Sequence, residues 1–149
     1  MGNELMNDLE RAIVIAVNAH RGQLDKQDLP YVLHPLRVML KQKDPDARVA
    51  AVLHDVVEDT EVTLAELAEA GFSAKALEAV RLLTHAKNVP YLDYVKALAA
   101  NPIARQVKLA DLEDNLDPSR ILDRTAKDLA RLEKYREAKV FLEAHNGEK

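Results

Sequence analysis

The sequence predicts an all-α fold, and three observations carry the prediction. Glycine and proline are scarce, 4 and 6 of 149 residues, while the strong helix formers Ala, Leu, Glu and Lys are abundant. Apolar residues recur at three- and four-residue spacing along most of the chain. A capping residue followed by proline occurs at Asp44-Pro45, Asn101-Pro102 and Asp117-Pro118. That pair puts a side-chain acceptor, then a residue with no N–H to satisfy, at a helix start. The length suits one domain with a real core, and no repeat, low-complexity tract or linker divides it, so residues 1–149 are expected to form a single domain.

The elements follow in order. Leu5, Leu9, Ala12, Ala16 and Ala19 predict a first helix from near Glu4 to near His20. His20 lies close to that face and reads as a packed or capping group rather than a ligand. Residues 21–33 have no helical period and hold Gly22 and Pro30, which marks a long loop of the kind that often carries function. A helix starting at Pro35 would place His34 at its mouth. Asp44-Pro45 opens a helix expected to run unbroken to near Thr60. Thr63 and Glu66 have capping-box spacing for a short helix ended by Gly71. Ser73 caps a helix to about Thr84, with Leu77, Val80 and Leu83 inward. Another helix spans about Pro90 to Ala100. Asn101-Pro102 starts a further one, in which Ile103, Val107, Asp111 and Asn115 form one line. Asp117-Pro118 caps a following segment. A last amphipathic helix is expected from Thr125 to Ala144, with Leu129, Leu132, Tyr135, Ala138 and Leu142 on its apolar face.

Composition narrows the function. A formal charge of −4 without a Lys/Arg cluster argues against a nucleic-acid surface. No run approaches the ~20 apolar residues of a membrane span. Cysteine is absent, which excludes disulfides and thiolate metal sites and fits a reducing compartment. Met1-Gly2-Asn3-Glu4 is acidic and leads into no long apolar core, so no signal peptide is expected and the cytoplasm is the expected location.

The densest chemistry lies in Leu53-His54-Asp55-Val56-Val57-Glu58-Asp59. On a regular helix, with His54 at zero, Glu58 falls at about 40°, Asp55 at about 100° and Asp59 at about 140°. The bulky Val49, Val52, Leu53, Val56 and Val57 fill the other arc, and small alanines flank the polar one. A solvated acidic face would produce such a pattern. A histidine flanked by aliphatic residues, with only Arg48 to balance the acids, points instead to a pocket. Asp111 strengthens that reading, because a carboxylate on a core-facing stripe is costly unless an arginine, a helix end or a metal satisfies it. His34, His54, Asp55 and Asp111 are therefore candidate metal ligands. Two imidazoles and two carboxylates suit Mg²⁺ or a divalent first-row ion without choosing between them. Glu58 and Asp59, one turn on, are candidates to orient a water or take its proton.

His34-Pro35, then Leu53 to Thr60, then Val107-Lys108-Leu109-Ala110-Asp111 with Asn115, resemble the HD phosphohydrolase superfamily. Within it the likeness is to the hydrolase domain of the RelA/SpoT family and to small stand-alone alarmone hydrolases. His20-Arg21-Gly22-Gln23 and Pro30-Tyr31 add to it, over about residues 12–118. The resemblance implies a helical HD-domain bundle and a Mn²⁺ held by His34, His54, Asp55 and Asp111. It implies a nucleotide pyrophosphohydrolase that removes the 3′-diphosphate of the stringent-response alarmone (p)ppGpp. Glu58 and Asp59 would position the water, with Lys26 and Asn115 near the nucleotide. The chain departs from the family pattern in two places. Asp25-Lys26-Gln27-Asp28-Leu29 stands where the family has Arg-Lys-Ser-Gly-Glu, whose arginine contacts guanine. Leu112-Glu113-Asp114-Asn115-Leu116-Asp117 is acidic where the family is basic, and acidic groups near a polyphosphate site are expected to repel it. The same residues would also serve an HD phosphohydrolase of another phosphorylated nucleotide, or a metal- or nucleotide-binding module with little turnover.

Overall fold

The computed structural model describes residues 6–120 and 125–146. The helices are α1 (Asp8–Ala19), α2 (Leu33–Leu40), α3 (Pro45–Leu53), α4 (Val56–Asp59), α5 (Leu64–Glu69), α6 (Ala74–Leu83), α7 (Tyr91–Ala99), α8 (Pro102–Asn115) and α9 (Ala126–Asn146), with a 3-10 turn at Pro118–Arg120. An antiparallel bridge between Leu24 and Pro30 is the one β pairing among the described residues. No helix among them is long and apolar enough to cross a membrane.

α3 is the hub and packs against α1, α2, α6 and α8. Ala47, Ala50, Ala51, Val52 and Leu53 have no exposed surface, so the helix is buried all round. The alanines expected beside a polar arc are core residues, and their small side chains let neighbouring helices come close. α8 lies across α2, α3, α6, α7 and α9. Val107 and Leu112 on it are fully buried, and Ala138 and Leu142 of α9 close the core.

Several boundaries differ from expectation for local reasons. α1 begins at Asp8 rather than near Glu4, which lies outside the described residues. Asn7 and Glu10 exchange side-chain and backbone hydrogen bonds at 2.9 Å, and this reciprocal cap sets the start. α2 begins at Leu33, so Pro35 sits inside the first turn, where its missing N–H leaves no bond unmade. The expected unbroken helix to Thr60 is two helices, divided at His54-Asp55. The Ala51 carbonyl accepts the His54 backbone N–H at 3.5 Å and its ring Nδ1 at 2.6 Å, a three-residue closure that ends the α-helical ladder. Leu129 is 46% exposed, off the apolar face assigned to it, while Leu132, Ala138 and Leu142 are buried as expected. The Asp44, Thr63, Ser73 and Asn101 caps all form as predicted.

Candidate metal centre and catalytic site

α2, the α3–α4 break and α8 bring four side chains to one point. His34, His54, Asp55 and Asp111 each offer a ligand atom, and these atoms lie within 4.8 Å of one another. His34 Nε2 is 2.7 Å from Asp111 Oδ1 and 3.7 Å from Asp55 Oδ2. His54 Nε2 is 3.1 Å from Asp55 Oδ2 and 3.3 Å from Asp111 Oδ1. Both imidazoles and Asp111 are buried, and Asp55 is half-buried at the mouth. The break after Leu53 lets two successive residues, His54 and Asp55, face the same point, which an unbroken helix would hold about 100° apart.

The hydrogen bonds show why a cation fits there. His54 Nδ1 faces a backbone carbonyl, which only accepts, so Nδ1 carries a hydrogen. Its Nε2 then either carries a second hydrogen or presents a lone pair to two carboxylates. His34 is in the same position, with Nδ1 at 2.6 Å from Asp114 Oδ2 and Nε2 turned to Asp111. A lone pair aimed at a carboxylate oxygen is repulsive unless a proton or a metal ion lies between. Without a metal, protons fill the role. Burial alone would lower both histidines, but the bonds to Asp111 and Asp114 raise His34, and Asp55 and Asp111 raise His54 well above 6.5. Asp55 shows the reverse: burial raises it, the neighbouring His54 outweighs that, and it sits at about 2. The donor set therefore suits one divalent ion, with both Nδ1 hydrogens already bonded to outer partners.

The cluster opens on a cavity of about 240 Å³ whose walls include Glu58, Asp59, Lys108, Asn115, Lys134 and Tyr135. Glu58 and Asp59 thus reach the ligands' cavity, and their environments differ. Glu58 Oε1 accepts the backbone N–H of His85 at 2.8 Å. Asp59 has its carboxyl raised to about 6, first by burial and then by Asp55 and Glu58. A larger groove of about 650 Å³ lies at Asp44, Ala74, Glu78 and Asn101 and contains none of these groups. Convergence of donor atoms, not volume, singles out the smaller cavity.

A second cavity of about 350 Å³ shares Tyr31 and Asn115 with the first and holds Lys26, Gln27 and Arg120. Lys26 and Asn115, expected near a nucleotide, both line this space, although Lys26 Nζ is paired with Asp128 at 2.7 Å and Asn115 Nδ2 lies 3.3 Å from Asp111 Oδ1. The acidic neighbours have local partners, although Asp25 also lines this second cavity, with Oδ2 3.9 Å from Arg120. Asp25 turns into its own loop, where Oδ1 accepts the backbone N–H groups of Gln27 and Leu29. Glu113 faces Lys41 at 3.7 Å, and Asp117 accepts from Ser119. Asp114 is buried against His34, Arg37 and Arg120. His20 is packed, 2% exposed, with Nδ1 at 2.9 Å from Gln23, and takes no part in the cluster.

Three side chains at the centre were not singled out from sequence. Lys108 Nζ donates to Asp111 Oδ2 at 2.9 Å and so supplies the counter-charge for which an arginine was considered. Asp114 holds His34. Both lie three residues from Asp111, so helical spacing on α8 could have found them. Tyr31 donates its hydroxyl to Asp55 Oδ2 at 2.6 Å from an aperiodic loop, which left no spacing signal.

No protein-family model matches the chain. The mouse and human guanosine-3′,5′-bis(diphosphate) 3′-pyrophosphohydrolases are 36% identical to it over 129 residues, 78% of this chain and 71% of theirs. The chain belongs to this pyrophosphohydrolase family. The Aquifex aeolicus protein of the same name is 33% identical over 119 residues, 74% of this chain but 17% of that one, so the chain spans about one-sixth of the bacterial relative. A solved structure described as a metazoan orthologue of SpoT that hydrolyses ppGpp superposes with a TM-score of 0.73. It shares 25% identity over 92% of this chain and 85% of that one.

Proposed function

We propose that this chain is a metal-dependent (p)ppGpp 3′-pyrophosphohydrolase, built as one HD-type domain. The observation that carries the proposal is the meeting of a four-residue ligand set and a Glu58–Asp59 pair on one cavity. Family membership supplies the substrate class. His34, His54, Asp55 and Asp111 would hold the ion, and Mn²⁺ is proposed on the family resemblance. When bound, such an ion neutralises phosphoryl oxygens and lowers the pKa of a water molecule. Asp59, whose carboxyl is raised in the metal-free site by burial and by Asp55 and Glu58, would take the proton from the attacking nucleophile. Glu58, fixed by the His85 N–H, orients the water beside it. Lys108 keeps Asp111 ionised and directs one of its oxygens away from the ligand cluster. The nucleoside end would lie over Tyr31 and Asn115 in the second cavity, within reach of Lys26. The cytoplasm is the proposed location.

One observation favours a second reading, the same hydrolysis on another phosphorylated nucleotide. The position of the family's guanine-contacting arginine is Asp25, whose Oδ1 is committed to its own loop while Oδ2 lies 3.9 Å from Arg120. The test is Mn²⁺-dependent release of pyrophosphate from ppGpp beside a panel of 2′- and 3′-phosphorylated nucleotides. Preferential turnover of ppGpp supports the first reading. Turnover of another nucleotide alone replaces it with the second.

A further inference from the structure

We propose that Asp114 is a positioning residue for the metal ligand His34, fixing its tautomer, orientation and donor strength. The inference rests on the metal reading above and goes beyond the ligand set. The two ligand imidazoles have unlike outer partners. His54 Nδ1 ends on a neutral backbone carbonyl, Ala51 O, at 2.6 Å. His34 Nδ1 ends on a carboxylate, Asp114 Oδ2, also at 2.6 Å. A carboxylate partner makes the bond charge-assisted, keeps the hydrogen on Nδ1 and leaves Nε2 the better donor.

The carboxylate is itself held by two arginines. Arg37 Nε and Nη2 grip its two oxygens at 2.8 and 3.0 Å, and Arg120 Nη1 donates to Oδ2 at 2.8 Å. The spacing explains the register. Arg37 lies three residues after His34 on α2, and Asp114 three residues after Asp111 on α8. Two facing one-turn pairs therefore meet: Arg37 holds Asp114 across the helices, and His34 sits between the two aspartates, its Nε2 at 2.7 Å from Asp111 and its Nδ1 at 2.6 Å from Asp114. Asp114 has a side chain only 6% exposed, so water does not compete for these bonds.

The test separates positioning from simple helix pairing. Mn²⁺ affinity is measured by calorimetry for wild type, D114N and R37Q, with melting of each metal-free protein alongside. D114N keeps the shape and loses the charge that holds His34. R37Q weakens the α2–α8 pair and leaves the His34–Asp114 bond. We expect D114N to bind Mn²⁺ about 10- to 100-fold more weakly. R37Q should melt lower yet bind within about threefold of wild type, below the loss expected for an outer-partner change. Affinity within about threefold of wild type in D114N would overturn the role of Asp114. Should D114N fail to fold, NMR of the wild-type Zn²⁺ complex decides: a His34 Nδ1 proton markedly further downfield than that of His54, as a charge-assisted bond gives, supports the proposal, and matching shifts overturn it. Wild-type protein that bound neither ion would overturn the metal reading itself.

Discussion

Replacing Lys108 with methionine removes the charge that balances Asp111 and little else. Lys108 Nζ lies 2.9 Å from Asp111 Oδ2, with side chains 11% and 7% exposed. The rings of Tyr91 and Tyr94 lie beneath it at 5.5 and 5.2 Å, which adds cation–π attraction. Burial would lower the ammonium, but Asp111 holds it well above 10.5, and Lys108 in turn helps hold Asp111 well below 3.8. Methionine keeps an unbranched apolar stem, so the cavity cost is small. Removing one partner of a buried pair costs about 3–5 kcal/mol. In a domain of this size each kcal/mol moves Tm by about 2–4 °C, so metal-free K108M should melt about 6–20 °C below wild type. Divalent metal restores a counter-charge to Asp111, so excess Mn²⁺ should close at least half of that gap. The assay is thermal denaturation followed by circular dichroism at mildly alkaline pH, with EDTA or with Mn²⁺. An unchanged Tm in EDTA, or an equal loss with and without metal, would refute the reasoning that Lys108 and the ion share one carboxylate.

Other outcomes follow from the same geometry. His54→Ala or Asp111→Ala should abolish both calorimetric metal binding and turnover. Glu58→Gln should keep the metal and lower kcat by about 10²–10⁴, and an inactive variant that had also lost its metal would break the division of roles. Asp59 has a folded pKa of about 6 against an ordinary 3.8, so its ionisation costs stability that is absent below pH 3.8 and fully felt above about pH 6. Half-exposure screens that cost to about 1 kcal/mol, so metal-free Asp59→Asn should melt about 2–4 °C above wild type in alkaline buffer and equal it in acid. Both ligand histidines are raised above 6.5, so their contribution to metal-free stability is full below pH 6.5 and is lost as pH climbs past the raised values. Metal must displace those protons, so the Mn²⁺-induced rise in Tm should grow with pH, and a gain independent of pH would contradict the assignment of His34 and His54 as ligands.

Helix caps were legible because they depend on short-range spacing. Asp44-Pro45, Thr63 with Glu66, and Asn101-Pro102 each place a side-chain acceptor within reach of a backbone N–H three residues on. The convergence of His54 and Asp111 on one buried point was legible because histidine beside aliphatic residues, and an aspartate on the Val107 stripe, are costly in a core without a purpose. The break at His54-Asp55 was not legible, because it arises when a side chain takes a backbone carbonyl from its own helix. The partners of Asp25 and Asp114 were not legible, because charge alone does not show direction. Asp25 closes its own loop, and Asp114 meets an arginine and a histidine some 80 residues earlier in the chain. Tyr31 reaches Asp55 from a loop with no period to read.

The most direct measurement couples metal content to turnover: Mn²⁺ bound per chain, and pyrophosphate released from ppGpp by the same preparation. One ion per chain, with release that stops on chelation and returns with Mn²⁺, is the expected result. One ion per chain with no hydrolysis of ppGpp or of any other phosphorylated nucleotide would contradict it, and would make the Glu58–Asp59 pair part of a binding module.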